Sequence, residues 1–320
     1  MSNSPLVSIC CLTYNHEPYI RDCLEGFVMQ QTNFIFEVLI HDDASTDNTA
    51  AIIREYEVKY PSIIKPIYQT ENQYSKGVKV TSVYNFPRVK GQYVAMCEGD
   101  DYWTDPLKLQ KQVDFLENNN DYGLVYTKTK VFFEGSKKFK KTLFGLEIPT
   151  KGILFNNPIP TLTTLLRKDI LQGFLDSQSD EVPRWQMGDY PIWIYFYYHS
   201  EIYFLNEVTG VRRMLLNSAS NFSDGSKRMR FIKNGIQMSR FYAKKYLDEI
   251  KFSEFINYRL KSYYISALIY DFKNSKIYYD EIRGEKNIQP RVKFYLFIVE
   301  KLKIKYVLLL LIRFKSLILN

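Results

Sequence analysis

The sequence contains few of the residues from which a zinc centre or a hydrolytic triad is built. Its three histidines, His16, His41 and His199, are scattered along the chain, which argues against both kinds of site. Its four cysteines fall in the first third and form no CxxC pair. Since no secretory signal opens the sequence, we expect buried, reduced thiols in a cytoplasmic protein.

Two glycine-rich signatures of nucleotide binding are also missing. No GxGxxG motif follows the first apolar run, and no GxxxxGKS/T motif occurs in the chain. The sequence therefore lacks the glycines of a Rossmann dinucleotide site and of a P-loop.

Positive charge is present but unevenly distributed. The net charge is +8, and residues 287–320 contain seven lysines and arginines against one acid, Glu300. This segment accounts for +6 and leaves +2 for the other 286 residues. The distribution argues against a nucleic-acid-binding face over the whole protein, so no nucleic-acid partner is expected.

What the sequence does contain is the alternation typical of an α/β protein. Through residue 127, short apolar runs alternate with amphipathic stretches, which predicts a mostly parallel sheet flanked by helices. The predicted strands are 6–12, 36–40, 63–68, 93–97 and 123–127, and the predicted helices are 17–31, 45–60, 78–89 and 105–118. The pattern then loosens into a hairpin around a lysine-rich turn, an aromatic helix at 190–198, strands near 202–205 and 208–213 and, beyond about 226, further helices.

The most informative segment is the loop after the fourth predicted strand, Glu98-Gly99-Asp100-Asp101. Adjacent carboxylates repel each other and are costly to desolvate unless a cation or hydrogen-bond donors gather them. They lie at the carboxyl end of a strand, where open α/β sheets bind ligands. Hard oxygen ligands of this kind suit Mg²⁺ or Mn²⁺ that carries a substrate phosphate. The alternative is a solvated acidic turn.

Four motifs together carry a resemblance to a known family. They are VSICCLTYN (7–15), DDASTDNT (42–49), EGDDYW (98–103) and GDYPIW (188–193). In this order and at this spacing, the chain resembles family 2 glycosyltransferases over about residues 5–215. The resemblance implies a Rossmann-like nucleotide-diphospho-sugar transferase fold of the GT-A type, with a mixed sheet flanked by helices.

The resemblance also implies how the chain is divided. Residues 1–225 would form the catalytic domain, with nucleotide-sugar binding in 1–127 and the acceptor side in 128–225. Residues 226–320 would form a helical C-terminal extension with a basic, apolar tail.

By this resemblance, the first two loops would bind the nucleoside diphosphate. Asp43 would accept a hydrogen bond from the base, expected to be the uracil imide N–H of UDP, because a fixed carboxylate suits that donor. Thr13, Tyr14 and Asn15 would line the nucleoside, with Asp42 beside Asp43. The alternatives are a polar turn for the two aspartates and a rim aromatic for Tyr14.

The remaining implied roles concern the phosphates and the reaction. Asp100 and Asp101 would hold the Mn²⁺ or Mg²⁺ that bridges the two phosphates, although the chain has Gly99-Asp100-Asp101 where the family often has Asp-x-Asp. Asp189 would be the general base of an inverting transfer; alternatively it caps the following helix, and one residue can do both. Two arginines, Arg212 and Arg213, could reach the diphosphate or an acidic acceptor, or could be surface residues.

The tail at 291–319 concentrates basic and apolar residues. Neither of its two apolar stretches gives the roughly 18 uninterrupted apolar residues of a spanning helix. An amphipathic helix on the anionic inner face of the cell membrane fits this composition, and a helix pair packed on the catalytic domain is the alternative.

The predicted function is therefore metal-dependent transfer of a sugar from a nucleoside diphosphate, expected to be UDP, to an acceptor hydroxyl with inversion. The acceptor would be a glycan or a lipid-linked saccharide in bacterial capsule, lipopolysaccharide or exopolysaccharide synthesis. One alternative is a sugar nucleotidyltransferase, which would need a glycine-rich, basic loop where this chain has TYNHEPY (13–19). The other is a non-catalytic, membrane-associated glycan-binding module.

Overall fold

The computed structural model describes residues 4–178, 182, 185–215, 224–285 and 288–302. The chain separates into two compact units, Met1–Leu216 and Asn217–Asn320. Among the described residues, the strands all lie in the first unit, and the second is helical.

The first unit is built around one mixed sheet. Its strands are β1 (Val7–Thr13), β2 (Phe36–Asp42), β3 (Ile64–Tyr68), β4 (Tyr93–Met96), β5 (Tyr102–Trp103), β6 (Tyr122–Phe133), β7 (Lys138–Phe139), β8 (Leu165–Arg167) and β9 (Glu201–Met214). Its helices are α1 (Ile20–Val28), α2 (Thr49–Lys59), α3 (Lys108–Asn118), α4 (Lys168–Asp176) and α5 (Tyr190–His199). Every residue of β2 is buried, as expected for a strand that is covered on both faces.

The strand order decides which loops meet. It is β3-β2-β1-β4-β8-β6-β9-β5, with β7 paired to β6. β1 to β4 are mutually parallel, β8 is antiparallel to both β4 and β6, and β9 is parallel to β6. The carboxyl ends of β1, β2, β4, β6 and β9 therefore lie at one edge of the sheet.

Two local predictions were wrong in detail. Instead of a helix over 78–89, a π-helical turn, Thr81–Asn85, is followed by a 3-10 turn, Phe86–Arg88. Pro87 lacks the N–H that a continuing helix would need. The strands predicted near 202–205 and 208–213 are one strand, β9, whose register against β6 shifts near Val208.

The core beneath the acidic loop is aromatic and contains the cysteines. Trp103 packs edge-on against Phe27 and donates its indole N–H to the Leu162 carbonyl at 2.7 Å. The four cysteines are free and buried, as predicted: Cys10, Cys11, Cys23 and Cys97. Burial raises the pKa of Cys97 to about 11, so this thiol is neutral and inert near pH 7.

The second unit consists of α6 (Gly225–Tyr246), α7 (Glu249–Tyr270), α8 (Ser275–Arg283) and α9 (Pro290–Leu302). Asp224 and Asp248 cap α6 and α7 by accepting backbone N–H groups of their first turns. No helix within the described ranges is both long and apolar enough to cross a bilayer. Of the predicted tail, residues 303–320 lie outside the described residues.

Candidate active site

Hydrogen bonds join the loops after β1 and β2 and give this part of the edge a fixed shape. Asn15 adopts a φ of +52°, in the left-handed region that Asn tolerates, and its side-chain oxygen accepts the Thr46 N–H at 2.8 Å. Its own N–H donates to the Ser45 hydroxyl at 2.9 Å. Asn15, which was predicted to line the nucleoside, therefore also connects the two loops.

Asp43 follows β2 and is buried, and both of its carboxylate oxygens accept hydrogen bonds. One accepts the Gln73 N–H at 2.8 Å and the other accepts the Tyr74 N–H at 3.0 Å. Nε2 of His41 lies 3.3 Å from the first oxygen. Asp43 thus holds the segment at 73–74 against the sheet edge, which the sequence did not predict.

The other predicted nucleoside residues differ in accessibility. Asp42 is buried, accepts a hydrogen bond from the Ser45 hydroxyl, and has its pKa raised by burial. Thr13 is also buried, and its hydroxyl has no hydrogen-bond partner among the described residues. Tyr14, by contrast, is 43% exposed and presents its ring at this edge.

The acidic loop is held close to the β1 loop by a glycine. The Gly99 N–H donates to the Leu12 carbonyl at 2.9 Å, and the Asp101 N–H donates to the Glu98 carbonyl at 3.1 Å. A Cβ atom on Gly99 would lie 2.7 Å from Thr13 Oγ1 and 3.0 Å from His16 Nδ1. Only glycine fits here, and it brings the loop down onto β1.

Three carboxylates of this loop repel one another. Burial, followed by the charges of Asp100 and Glu98, raises the pKa of Asp101 well above its ordinary value. Although water reaches the Glu98 side chain, the surrounding protein and then the charges of Asp100 and Asp189 raise its pKa to about 7, against the opposing charge of Arg212. Like charges disfavour the ionised form of a carboxyl group whether or not the group is exposed.

This donor set fits a divalent cation. No group of three His, Cys, Asp or Glu side chains that could hold a metal occurs within the described parts of the chain. A cation carried by a diphosphate does not need three, since one or two carboxylates complete its shell beside phosphate and water. Asp100 and Asp101 supply hard oxygen atoms, and a cation between them would relieve the repulsion that raises the pKa of Asp101.

The two arginines of β9 have different surroundings. The Arg213 N–H donates to the Asp101 carboxylate at 2.8 Å, and its guanidinium donates to the Asp100 carbonyl at 3.0 Å. The same guanidinium pairs with Asp22 and lies 4.4 Å from the Tyr102 ring centre. Arg213 therefore stabilises the acidic loop. Arg212 lies over Phe144 at 5.5 Å and makes no ion pair with any described residue.

Asp189 lies before α5 and near the acidic loop. One carboxylate oxygen accepts the Tyr190 N–H at 2.7 Å, so the predicted cap contact exists. The other oxygen accepts the Thr161 hydroxyl at 2.5 Å. The charge of Asp189 contributes to the raised pKa of Glu98. Its partner Thr161 precedes Leu162, whose carbonyl accepts the Trp103 indole N–H, so Asp189 lies close to the acidic loop.

Two residues of this site had no predicted role. Glu98 lies in the EGDDYW motif, and its position two residues before Asp100 could have indicated that its charge acts on the two aspartates. Thr161 lies in a 3-10 turn, Thr161–Thr163, between β7 and β8. Nothing in the sequence links it to Asp189, because 28 residues and a change of direction separate them.

Comparisons with known proteins agree with this geometry. The model of the family described as "Glycosyl transferase family 2" matches residues 8–182. An uncharacterized protein of Mycobacterium bovis is 39% identical over 165 residues, which are 51% of this chain and 47% of that protein. TuaG of Bacillus subtilis, a named candidate glycosyltransferase of teichuronic acid biosynthesis, is 38% identical over 35% of this chain and 42% of its own length. The chain thus spans about half the length of these curated relatives or less.

Solved structures share the fold at low sequence identity. TarS 1–349 of S. aureus, in complex with UDP-GlcNAc, has a TM-score of 0.61 at 18% identity, covering 89% of this chain and 82% of that one. The mannosyltransferase PcManGT of Pyrobaculum calidifontis, in complex with GDP-Man and Mn²⁺, has a TM-score of 0.57 at 14% identity, covering 96% and 83%. The predicted GT-A-type fold, with a mixed sheet between helices, is confirmed.

Proposed function

Because the chain belongs to glycosyl transferase family 2, we propose that it transfers a sugar from a UDP-sugar to an acceptor hydroxyl with inversion, using a divalent metal. The observation that carries the proposal is that Asp189 and the acidic loop come from distant parts of the chain and lie close together. Asp189 accepts the Thr161 hydroxyl, and the carbonyl of the next residue, Leu162, accepts the indole N–H of Trp103 after the acidic loop. The charge of Asp189 also acts on Glu98. Such convergence suits a reaction in which a diphosphate leaves one face of the sugar and a hydroxyl attacks the other.

In this proposal Asp100 and Asp101 hold the metal, expected to be Mn²⁺ or Mg²⁺. When bound, the metal would offset the charge that develops on the departing diphosphate. Arg213 keeps both carboxylates in place through the Asp101 carboxylate and the Asp100 carbonyl. Arg212, which has no described ion-pair partner, is the cation available to the phosphates or to an acidic acceptor.

Asp189 is the proposed general base that removes the acceptor proton. Its two oxygens accept from Tyr190 and Thr161, and each oxygen keeps a second lone pair for a hydroxyl. The helix cap and the base are therefore compatible roles of one residue.

The nucleoside is proposed to bind across the β1 and β2 loops. Asp43 remains the residue for the uracil imide, because the oxygen that accepts the Tyr74 N–H has no other partner among the described residues and keeps a lone pair. The exposed ring of Tyr14 would pack on the base, while Thr13, Asn15 and Asp42 shape the floor beneath. Support for a nucleotide-sugar donor comes from TarS, which was solved with UDP-GlcNAc, and from PcManGT, which was solved with GDP-Man. The two nucleotide sugars carry different bases.

The proposed setting is bacterial surface-polysaccharide synthesis at the inner face of the cell membrane. TuaG, named for teichuronic acid biosynthesis, supports this setting. In the described part of the tail, α9 exposes Phe294, Phe297 and Lys301 together. This combination of aromatic and basic side chains suits the interface of an anionic membrane.

The experiment is release of free nucleoside diphosphate from UDP-, GDP- and dTDP-sugars with Mn²⁺, Mg²⁺ or EDTA, with water standing in for the acceptor. We expect metal-dependent turnover of UDP-sugars, lost in Asp101→Ala and strongly reduced in Asp189→Ala. Asp114→Ala removes an exposed carboxylate of α3 and serves as the matched control. Turnover that persists in EDTA would refute metal dependence, and binding of donor without turnover would favour a glycan-binding module.

A further inference from the structure

A second surface at the carboxyl edge of the sheet has no role in the chemistry proposed above. It is formed by residues 130–146, which include the end of β6, the turn to β7 and the segment that returns beside β6; we call it the hairpin surface. Its exposed apolar side chains are Phe133, Phe139, Leu143 and Leu146. Its exposed lysines are Lys130, Lys137, Lys138, Lys140 and Lys141.

The backbone of the hairpin surface is firmly attached to the sheet. The Lys140 N–H donates to the Val131 carbonyl at 2.8 Å, and Thr129 and Phe144 exchange two hydrogen bonds at 2.7 and 2.9 Å. Gly145 has a φ of +92°, and a Cβ there would lie 2.5 Å from the Thr127 carbonyl oxygen. The backbone that carries the apolar side chains is therefore fixed to the sheet, and these side chains remain exposed on it.

The charge of the hairpin surface is strongly positive and little neutralised. Residues 130–146 contain five lysines and one glutamate. Lys137 pairs with Glu134, whereas Lys138, Lys140 and Lys141 make no ion pair with any described residue. Exposed lysines that alternate with exposed phenylalanine and leucine attract an anionic partner that also has an apolar phase.

The hairpin surface adjoins the catalytic edge. Phe133 and Phe132 pair in register with Met214 and Arg213, and Arg213 holds the acidic loop. Phe144 lies under the Arg212 guanidinium at 5.5 Å. A molecule held against the hairpin surface therefore lies beside Arg212 and Arg213, next to the acidic loop.

We propose that the hairpin surface inserts into an anionic phospholipid bilayer, so that a lipid-linked acceptor reaches the acidic loop from the membrane. The inference names the partner of the proposed catalytic site and so rests on the proposed function, but it concerns a different surface from the tail. Phe139 and Leu146, which are 52% and 57% exposed, would enter the interface, while the lysines contact phosphate head groups. A purely polar anionic polymer would leave these four apolar side chains without a role.

The first test follows insertion directly. In Phe139→Trp, vesicles of phosphatidylcholine and phosphatidylglycerol should shift the added tryptophan's emission to the blue, and brominated lipid should quench it. Val58→Trp, at an 82% exposed apolar position of α2, is the matched control and should show neither effect. Spectra are compared after subtraction of the unchanged protein. No shift at position 139, or equal quenching at both positions, would overturn the proposal.

The second test removes charge. Lys138→Gln/Lys140→Gln/Lys141→Gln should weaken partitioning onto these vesicles roughly 100-fold, because each lysine near an anionic surface contributes about fivefold. Lys59→Gln/Lys65→Gln/Lys90→Gln removes the same charge at the opposite end of the strands and should bind as the unchanged protein does. Equal binding by both variants, or a response to soluble polyphosphate in place of vesicles, would overturn the proposal.

Diphosphate release without vesicles separates this proposal from the proposed function. The hairpin variants should hydrolyse donor at the original rate, since none of their substituted residues contacts the acidic loop. Insertion in a protein that turns over no donor would refute the catalytic proposal and leave the membrane surface standing. Donor turnover without insertion would refute the membrane proposal and leave the catalytic proposal standing.

Discussion

Two Asp-Asp pairs lie at the same edge of the sheet, at the ends of β2 and β4, the two strands that flank β1, and their surroundings differ. Asp42 and Asp43, after β2, accept hydrogen bonds from Ser45, Gln73 and Tyr74. After β4, Asp101 accepts one backbone N–H, from Arg213, and the described residues offer Asp100 none to its carboxylate. The protein supplies the first pair with several hydrogen-bond donors, whereas it supplies the carboxylates of the second pair with one.

Carboxylates with the same sequence pattern can therefore be separated into structural and functional ones by the hydrogen-bond donors that the structure gives them. A buried carboxylate that is satisfied by backbone N–H groups contributes to folding. A carboxylate left beside like charges costs stability, and a protein retains it where a cation or substrate supplies the missing partner. Substitutions at the two pairs should therefore have opposite consequences.

The largest effect is expected at the pair after β4. Asp101→Asn keeps an oxygen for the Arg213 N–H but removes the charge that would bind metal, so the rate of donor hydrolysis should fall roughly 1,000-fold. The melting temperature should stay level or rise, because repulsion from Asp100 and Glu98 is relieved. Steady-state kinetics measure the rate, and calorimetry measures the melting temperature. A lower melting temperature in Asp101→Asn would show that the two pairs do not differ in their effect on stability.

The next effect is expected at the pair after β2. Asp43→Asn turns an NH₂ group toward one of the N–H groups of Gln73 and Tyr74, and should cost about 3 kcal/mol of unfolding free energy. A denaturant titration without nucleotide measures this loss. Unchanged stability combined with loss of UDP binding would show that the Gln73 and Tyr74 contacts of Asp43 contribute little to folding, and that its role is confined to the nucleoside.

A smaller effect is expected from the contact that orients Asp189. Thr161→Val removes the hydroxyl that donates at 2.5 Å to this carboxylate, and should lower kcat about tenfold with the donor KM unchanged. Thr161→Ser keeps the donor and should restore most of the rate. Equal losses in both variants would mean that the methyl packing of Thr161 matters rather than its hydroxyl.

The contrast between the pairs also marks how far sequence reasoning could reach. The strand-end positions of Asp43 and Asp101 follow from apolar periodicity and loop placement, which are local properties. Their hydrogen-bond partners do not, because Gln73 and Arg213 lie 30 and 112 residues away and arrive through sheet topology. The prediction for Arg213 treated it as a free cation, whereas its guanidinium is held by the acidic loop itself.

For the fold, too, the local elements were predictable and the long-range strand pairing was not. Parallel strands with covering helices leave a strong apolar pattern, so β1, β2 and α3 were located within a few residues. β8 has three residues and pairs antiparallel between β4 and β6, and a segment of that length carries no period from which its partners could be inferred. This short strand is nevertheless what places β6, and with it the hairpin surface, beside the acidic loop.

The smallest effect concerns the buried cation beneath the β4 loop. Lys108 is fully buried, donates to Gln112 at 2.7 Å and lies over the Trp103 ring, and burial lowers its pKa to about 7. Its position invites the idea that it neutralises Asp101, but Asp101 is not among the groups whose charge shifts the pKa of Lys108. We therefore expect Lys108→Met to leave donor hydrolysis within about twofold, while metal dependence is retained.

The stability of this variant should differ in its pH dependence. Between pH 7 and the ordinary lysine pKa of 10.5, the unfolded chain binds a proton at Lys108 that the folded chain has lost. The unfolding free energy therefore gains up to about 1.4 kcal/mol per pH unit from this group as pH rises. Lys108→Met should lack this gain, so the difference between the two proteins, measured by urea titration from pH 7 to 9, should grow in favour of the unchanged chain. A constant difference would mean that Lys108 keeps its proton throughout, and with it a charge that could act on the acidic loop.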